Sequence, residues 1–228
     1  MTLKPIIVAV DGPAGSGKSS LCEAVSQKLG WSYFTSGAIY RVIGLLAHQK
    51  NLNLSDDATI CRLVDQHSSD IYWDLSQKKV FFQDQDLTVE SQSAESGTYA
   101  SLVATLPGLR LKLLPLLRKI VLQAQKGIIV DGRDIGTVVF PEADVKIFLT
   151  ASVATRAKRR MDQLKARKTS EELPSFESLL QAIEHRDAQD SQRDIAPLKP
   201  APDAHIFDNS LLSFPECVSE LIRIIRTP

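Results

Sequence analysis

The segment Gly12-Pro13-Ala14-Gly15-Ser16-Gly17-Lys18-Ser19 fits the pattern G-x-x-x-x-G-K-[ST] throughout. Residue types in this order can hold a nucleotide's phosphates. Glycines let the backbone curl until several N–H groups point inward at phosphate oxygens. The helix that would open at Ser19-Ser20 adds a favourable dipole. Lys18 brings a point charge to the β- and γ-phosphates, and the Ser19 hydroxyl can ligate Mg²⁺. An apolar run leads into the motif and an amphipathic segment, Ser19–Leu29, leads out. With strand, motif and helix all in place, a nucleotide loop is favoured over an ordinary Gly-rich turn.

A second group of residues bears on what receives the phosphate. Asp131 ends the run "GIIVD", a position suited to a magnesium carboxylate beside the phosphate strand, or to a helix or turn cap. Arginines recur in a chain whose charge is otherwise balanced. Arg41 follows "SGAIY", and Arg133 lies in "VDGRDIG". Arg156, Arg159 and Arg160 stand at helical spacing on one face, as do Arg186, Asp190 and Arg193. Arginine suits bidentate phosphate recognition, and two polyphosphates brought end to end need positive charge from several directions. A single arginine would read as a solvated helix face. Sets flanking the polar stretch Lys165–Pro174 read better as a lid over roughly 156–193 that excludes water. No N-K-x-D guanine-reading pattern is present, which disfavours a GTPase. The histidines His48, His67, His185 and His205 fall outside every motif. None is required as a base, because an attacking phosphate is already anionic.

These side chains need elements to position them. Buried-strand runs occur at Ile6–Val10, Ile128–Val130, Val145–Leu149 and Ile206–Phe207, separated by segments of helical period. That alternation predicts an α/β fold, a parallel sheet covered by helices on both faces. The stretch Ile71–Val89 breaks the rhythm. Its short β-rich runs, divided at Ser76-Gln77 and Asp84–Asp86, predict a small inserted antiparallel meander. Helices are expected at about 91–104 and 109–125, the second kinked or restarted at Pro115. The 228 residues, 43% hydrophobic, suit one domain with small insertions. Lys plus Arg equals Asp plus Glu at 27 each, so no basic excess advertises nucleic acid. The N-terminal apolar run is too short for a signal core or membrane span. Three widely spaced cysteines, Cys22, Cys61 and Cys217, fit free thiols in a reducing cytoplasm.

The motifs "DGPAGSGK", "SGAIYR", "DGRDIGTVVFP", "VKIFLTAS", "RDAQDSQR" and "APLKPAPDA" follow one another as in bacterial cytidylate kinases, and the resemblance spans nearly the whole chain. It implies a P-loop kinase with an inserted β subdomain for the nucleoside monophosphate, over about 36–108, and a helical lid. The donor would be ATP with Mg²⁺, and the acceptor CMP or dCMP. Lys18, Arg133 and Arg193 would stabilise the transferring group, and Arg159 would serve the donor side. Arg41 and Arg133 would hold the acceptor phosphate. Ser101, Arg110 and Asp134 would read cytosine, Arg186 and Asp190 would meet the ribose hydroxyls, and Ser36 would line the same pocket. The residues alone leave a cap for Ser36 and surface ion pairs for Arg110 and Asp190 open. The chain departs from the family at Gln92, Gln189 and Ser191, where arginines are common. The resemblance further implies a cytoplasmic monomer without nucleic-acid or membrane partners. The rival readings are a P-loop kinase for UMP or another metabolite, and a regulatory P-loop ATPase.

Overall fold

The computed structural model describes residues 4–166 and 173–227. Five strands form one parallel sheet in the order β2-β6-β1-β7-β8, and three more form a separate small sheet. The chain divides into two compact units. One comprises Met1–Val8 and Ser26–Gly132, the other Ala9–Val25 and Arg133–Pro228. Strand β1 (Ile6–Asp11) runs through both. It is buried from Ile7 onward, as an unbroken apolar run in a parallel sheet must be.

In the first unit β2 (Ser32–Thr35) pairs in parallel with β6 (Gly127–Gly132), from Ser32 opposite Ile128 to Thr35 opposite Asp131. Four helices follow the pattern of their buried residues: α2 (Ser36–Gln49), α3 (Asp57–His67), α4 (Ala94–Val103) and α5 (Pro107–Val121). The meander is present as β3 (Ile71–Asp74), β4 (Lys79–Phe82) and β5 (Gln85–Asp86), antiparallel throughout. Asp74 sets its first turn by accepting the backbone N–H groups of Ser76 and Gln77 at 2.7 and 2.9 Å. The second turn places Gln83 and Asp84 at φ 47° and 64°. Helix α5 does not restart at Pro115, one of the two alternatives the sequence left, and it ends at Val121 rather than near 125. Pro115 is exposed, whereas Leu109, Leu113 and Leu117 are buried at four-residue spacing. That stripe seats the helix on both sides of the proline.

The second unit holds the end of β1, the glycine-rich loop and the start of α1 (Lys18–Leu29). It also holds β7 (Val145–Thr150), which pairs in parallel with β8 (His205–Asp208). Helices α6 (Val153–Ala166) and α7 (Phe176–Ser191) come between these strands in the chain. The central part of the expected polar loop, residues 167–172, lies outside the described residues. The last helix, α8 (Phe214–Arg226), opens with a capping box between Ser213 and Glu216. Among the described residues no single helix is long and apolar enough to cross a membrane, and the three cysteines are free thiols.

Candidate active site

The glycine-rich loop follows β1 directly, and its glycines are required by its shape. Gly12, Gly15 and Gly17 have φ of 150°, 75° and 90°. A Cβ on Gly12 would stand 2.0 Å from the Leu149 carbonyl oxygen, so no larger residue fits there. Lys18 is buried at 5% exposure. Its Nζ donates to the carbonyls of Gly12 and Pro13, each at 2.8 Å, and to Ser16 Oγ at 3.4 Å. The ammonium is therefore held inside the loop at the start of α1, where a phosphate would meet helix dipole and fixed charge together.

The outward carbonyls of this loop are tied down from behind. Arg156, buried at 3%, donates from Nη1 to Ala14 O at 3.1 Å, from Nε to Ala151 O at 3.0 Å, and from Nη2 to Asp187 at 2.6 Å. Arg159 donates to Ser16 O at 3.2 Å and to both the Asn209 side chain and its carbonyl, at 2.9 and 3.0 Å. Asn209, 1% exposed, adds a bond from Nδ2 to Ser16 O at 2.9 Å. In a trans peptide the carbonyl and the following N–H point opposite ways. Fixing the Ala14 and Ser16 carbonyls thus aims the N–H groups of Gly15 and Gly17 to the other side. Read from sequence as one lid face, Arg156 and Arg159 are here the braces of the phosphate loop.

After β6 the second unit continues with Arg133, Asp134 and a single π turn, Ile135–Val139. Asp134 is buried at 5%. Arg133 Nε donates to Asp190 Oδ2 at 3.0 Å, with the two side chains 23% and 10% exposed. Asp190 does form an ion pair, but as a buried carboxylate with a half-buried partner rather than on the surface. Arg186 lies on α7, whereas Arg193 lies beyond its end at Ser191, so the expected common face stops short of it. Arg193 Nε still returns to the Asp190 carbonyl at 3.2 Å.

The first unit carries the other predicted residues. Arg41 on α2 donates to Ser91 O at 2.9 Å and to Ser93 O at 3.3 Å, at the approach to α4. Arg110 on α5 is buried at 9%, donates to Ala104 O at 3.1 Å, and has its guanidinium carbon 5.7 Å from the centre of the Tyr40 ring. Surface ion pairing is excluded for it by that burial. Ser101 Oγ donates back along α4 to Gly97 O at 3.1 Å. Ser36 opens α2 but is not its cap; its Oγ donates to the Asp131 carbonyl at 3.1 Å. The Asp131 side chain, 2% exposed in residue terms, accepts from Tyr33 Oη at 3.2 Å.

The two residues expected to hold magnesium each offer an oxygen of the kind that ion takes. Ser19 is exposed in the first turn of α1, and Asp131 is a carboxylate held in orientation by Tyr33. Among the described residues no three His, Cys, Asp or Glu converge. Mg²⁺ is commonly held by one or two protein oxygens with substrate phosphates and water, so a denser cluster is not demanded.

Sequence reading assigned no role to Asp11, Tyr33, Asp187 or Asn209. Asp11 had a usable signal: like Asp131, it is an acid ending a buried apolar strand. Tyr33 was hidden because the four-residue strand carrying it was not recognised. Asp187 and Asn209 act on atoms far away in the chain, and no local pattern marks them.

A nucleotide loop between a parallel strand and a helix, braced by buried Arg156 and half-buried Arg159, with Arg133 on the neighbouring turn, defines a P-loop phosphate-binding protein. The cytidylate kinase family model matches residues 8–227. The chain is 41% identical over 219 residues to a cytidylate kinase of Pseudothermotoga lettingae, covering 96% of this chain and 93% of that one. It is 40% identical over 223 residues to the cytidylate kinase of Mannheimia succiniciproducens, covering 98% and 97%. It is 41% identical over 210 residues to that of Aeromonas hydrophila, covering 92% and 89%. The chain belongs to the cytidylate kinase family.

Proposed function

We propose that this chain transfers the γ-phosphoryl group of ATP to CMP or dCMP, giving ADP and CDP or dCDP. The observation that carries the reading is the braced phosphate loop with Lys18 buried inside it, in a chain similar along its whole length to cytidylate kinases. Lys18 and the loop N–H groups bind the donor phosphates. Arg41 and Arg133 bind the acceptor phosphate, while Ser36 lines its pocket. Arg193 bridges to the group in transit, and Arg159 serves the donor side by keeping the loop in shape. Ser101, Arg110 and Asp134 read the base, and Arg186 with Asp190 meets the ribose. Ser19 and Asp131 would hold Mg²⁺, which supplies charge neutralisation between the phosphates when bound. No protein base is needed, and the four histidines hold none of these positions. Catalysis is positioning and electrostatic stabilisation in a site closed to water. The parts of α6 and α7 within about 156–193 belong to the lid, and about 36–108, with the inserted meander near 71–89, forms the monophosphate-binding region. The enzyme acts as a cytoplasmic monomer on small molecules, without nucleic acid or membrane.

The reading is tested by ADP release with ATP–Mg²⁺ against a panel of nucleoside monophosphates. Turnover with CMP and dCMP supports it; turnover only with another acceptor supports the rival metabolite kinase. Hydrolysis that needs a macromolecule supports the regulatory ATPase.

The ribose assignment has its own test. A charged hydrogen bond from a hydroxyl to Asp190 is worth about 1.5–3 kcal/mol. Asp190→Ala also removes the partner of Arg133, which lowers activity on both acceptors alike. Beyond that common loss, kcat/KM is expected to fall about tenfold further for CMP than for dCMP, which lacks the 2′-hydroxyl. Equal losses would leave Asp190 as the keeper of Arg133 alone.

A further inference from the structure

Asp11 closes β1 and immediately precedes the phosphate loop, and it is buried at 5% exposure. Its two carboxylate oxygens accept two consecutive backbone N–H groups far away in the chain. Oδ1 takes Ile135 N and Oδ2 takes Gly136 N, both at 2.8 Å. These amides are the first two of the π turn that follows Arg133 and Asp134. A lone π turn is rare and is often found at functional sites.

The opening amides of any helical turn lack partners within the turn, and the residue just before it commonly caps them. That residue here is Asp134, a strong capping type, yet its side chain makes no cap hydrogen bond. Asp11 already occupies those amides. A Cβ on Gly136 would meet Asp11 Oδ2 only at ordinary contact distance, 3.5 Å, and Lys146 Cδ more tightly at 3.2 Å. We infer that Asp11 is a positioning residue that caps the turn in place of Asp134, so that the Asp134 carboxylate and the Arg133 guanidinium are presented to the acceptor nucleotide. This rests on the roles proposed above for Arg133 and Asp134.

The electrostatics agree with the geometry. Burial is the largest influence on Asp11 and raises its pKa from 3.8 to about 6. The two backbone N–H bonds oppose that rise, the charge of Asp134 adds to it, and Lys18 opposes it. Of the further cations near the turn, Arg133 pairs with Asp190 at 3.0 Å, and Lys146 lies against Gly136 and gives its ammonium to Asp203 at 2.8 Å. A carboxyl with a raised folded pKa favours folding most below its unfolded value, and that contribution is lost as pH rises through about 6. At neutral pH that contribution is gone.

The test compares wild type with Asp11→Asn at pH 8. The amide oxygen can take one N–H, but its NH₂ faces the other. KM for CMP is expected to rise about tenfold and the CMP-to-UMP ratio to narrow, with KM for ATP changed less than about twofold. An unchanged KM for CMP, or equal rises for CMP and ATP, would overturn the role. Should the variant not fold, wild type alone decides through nuclear magnetic resonance without ligand. The Ile135 and Gly136 amide protons are expected to titrate together with a midpoint near pH 6. Absence of that transition would defeat the inference. Failure of wild type to use CMP would instead defeat the functional reading, and the amide titration would still report on Asp11.

Discussion

Lys18→Ala is expected to lower kcat for phosphoryl transfer by about a thousandfold or more while the protein stays folded. The ammonium is buried in the phosphate loop and bonds the carbonyls of Gly12 and Pro13 at 2.8 Å. Arg156 and Arg159 cannot replace it, because their guanidiniums are committed to Ala14 O, Ser16 O, Asp187 and Asn209. Charge on the transferring group matters most in the transition state, so the loss belongs to kcat more than to KM for ATP. Stopped assays on protein whose circular dichroism matches wild type would measure it. Turnover within tenfold of wild type would defeat the assignment of the loop. The same substitution leaves two loop carbonyls without their cation, so some loss of thermal stability accompanies it.

Parts of this arrangement were legible in the sequence because their causes are local. The glycine-rich motif, its leading strand and its trailing helix lie within about two dozen residues, and each has a short-range signature. The meander announced itself through β-rich runs split by polar pairs. The strand β2 did not: Ser32-Tyr33-Phe34-Thr35 is four residues squeezed between two helices, too short for alternation to show. At Pro115 residue type alone left a restart open, and the buried stripe of Leu109, Leu113 and Leu117 carries the helix through. The arginines were legible only in part. Spacing placed Arg156 and Arg159 on one face, as the structure has it, but spacing says nothing about what that face meets. It meets the carbonyls of the phosphate loop, which makes these residues scaffolding for the loop. The cap that Asp11 places on Ile135 spans 124 residues, a distance over which no sequence period carries information.

On the role proposed for it, one buried carboxylate would set base selectivity. CMP is expected to be preferred to UMP, with AMP and GMP used poorly. Cytosine presents an exocyclic amine beside a ring nitrogen acceptor, whereas uracil presents a carbonyl and an N–H. A carboxylate such as Asp134 can only accept, and it is buried at 5%. It would satisfy the cytosine amine and set oxygen against oxygen with uracil. Arg110, a pure donor, would suit the cytosine ring nitrogen and oppose the uracil N–H. Burying mismatched polar groups costs about 1–3 kcal/mol each, so discrimination of tenfold or more per contact is expected. Ser101 decides less, since a hydroxyl can turn to donate or accept. Asp134→Asn is expected to narrow the CMP-to-UMP gap, mainly by lowering kcat/KM for CMP, since an amide presents both a donor and an acceptor. Its effect should differ from that of Asp11→Asn in one respect: the Ile135 and Gly136 amides remain capped, so their exchange protection is retained. Steady-state kcat/KM for both acceptors on wild type and variant would measure the gap. If wild type used AMP or GMP as well as CMP, a carboxylate at this position would not be reading the base at all.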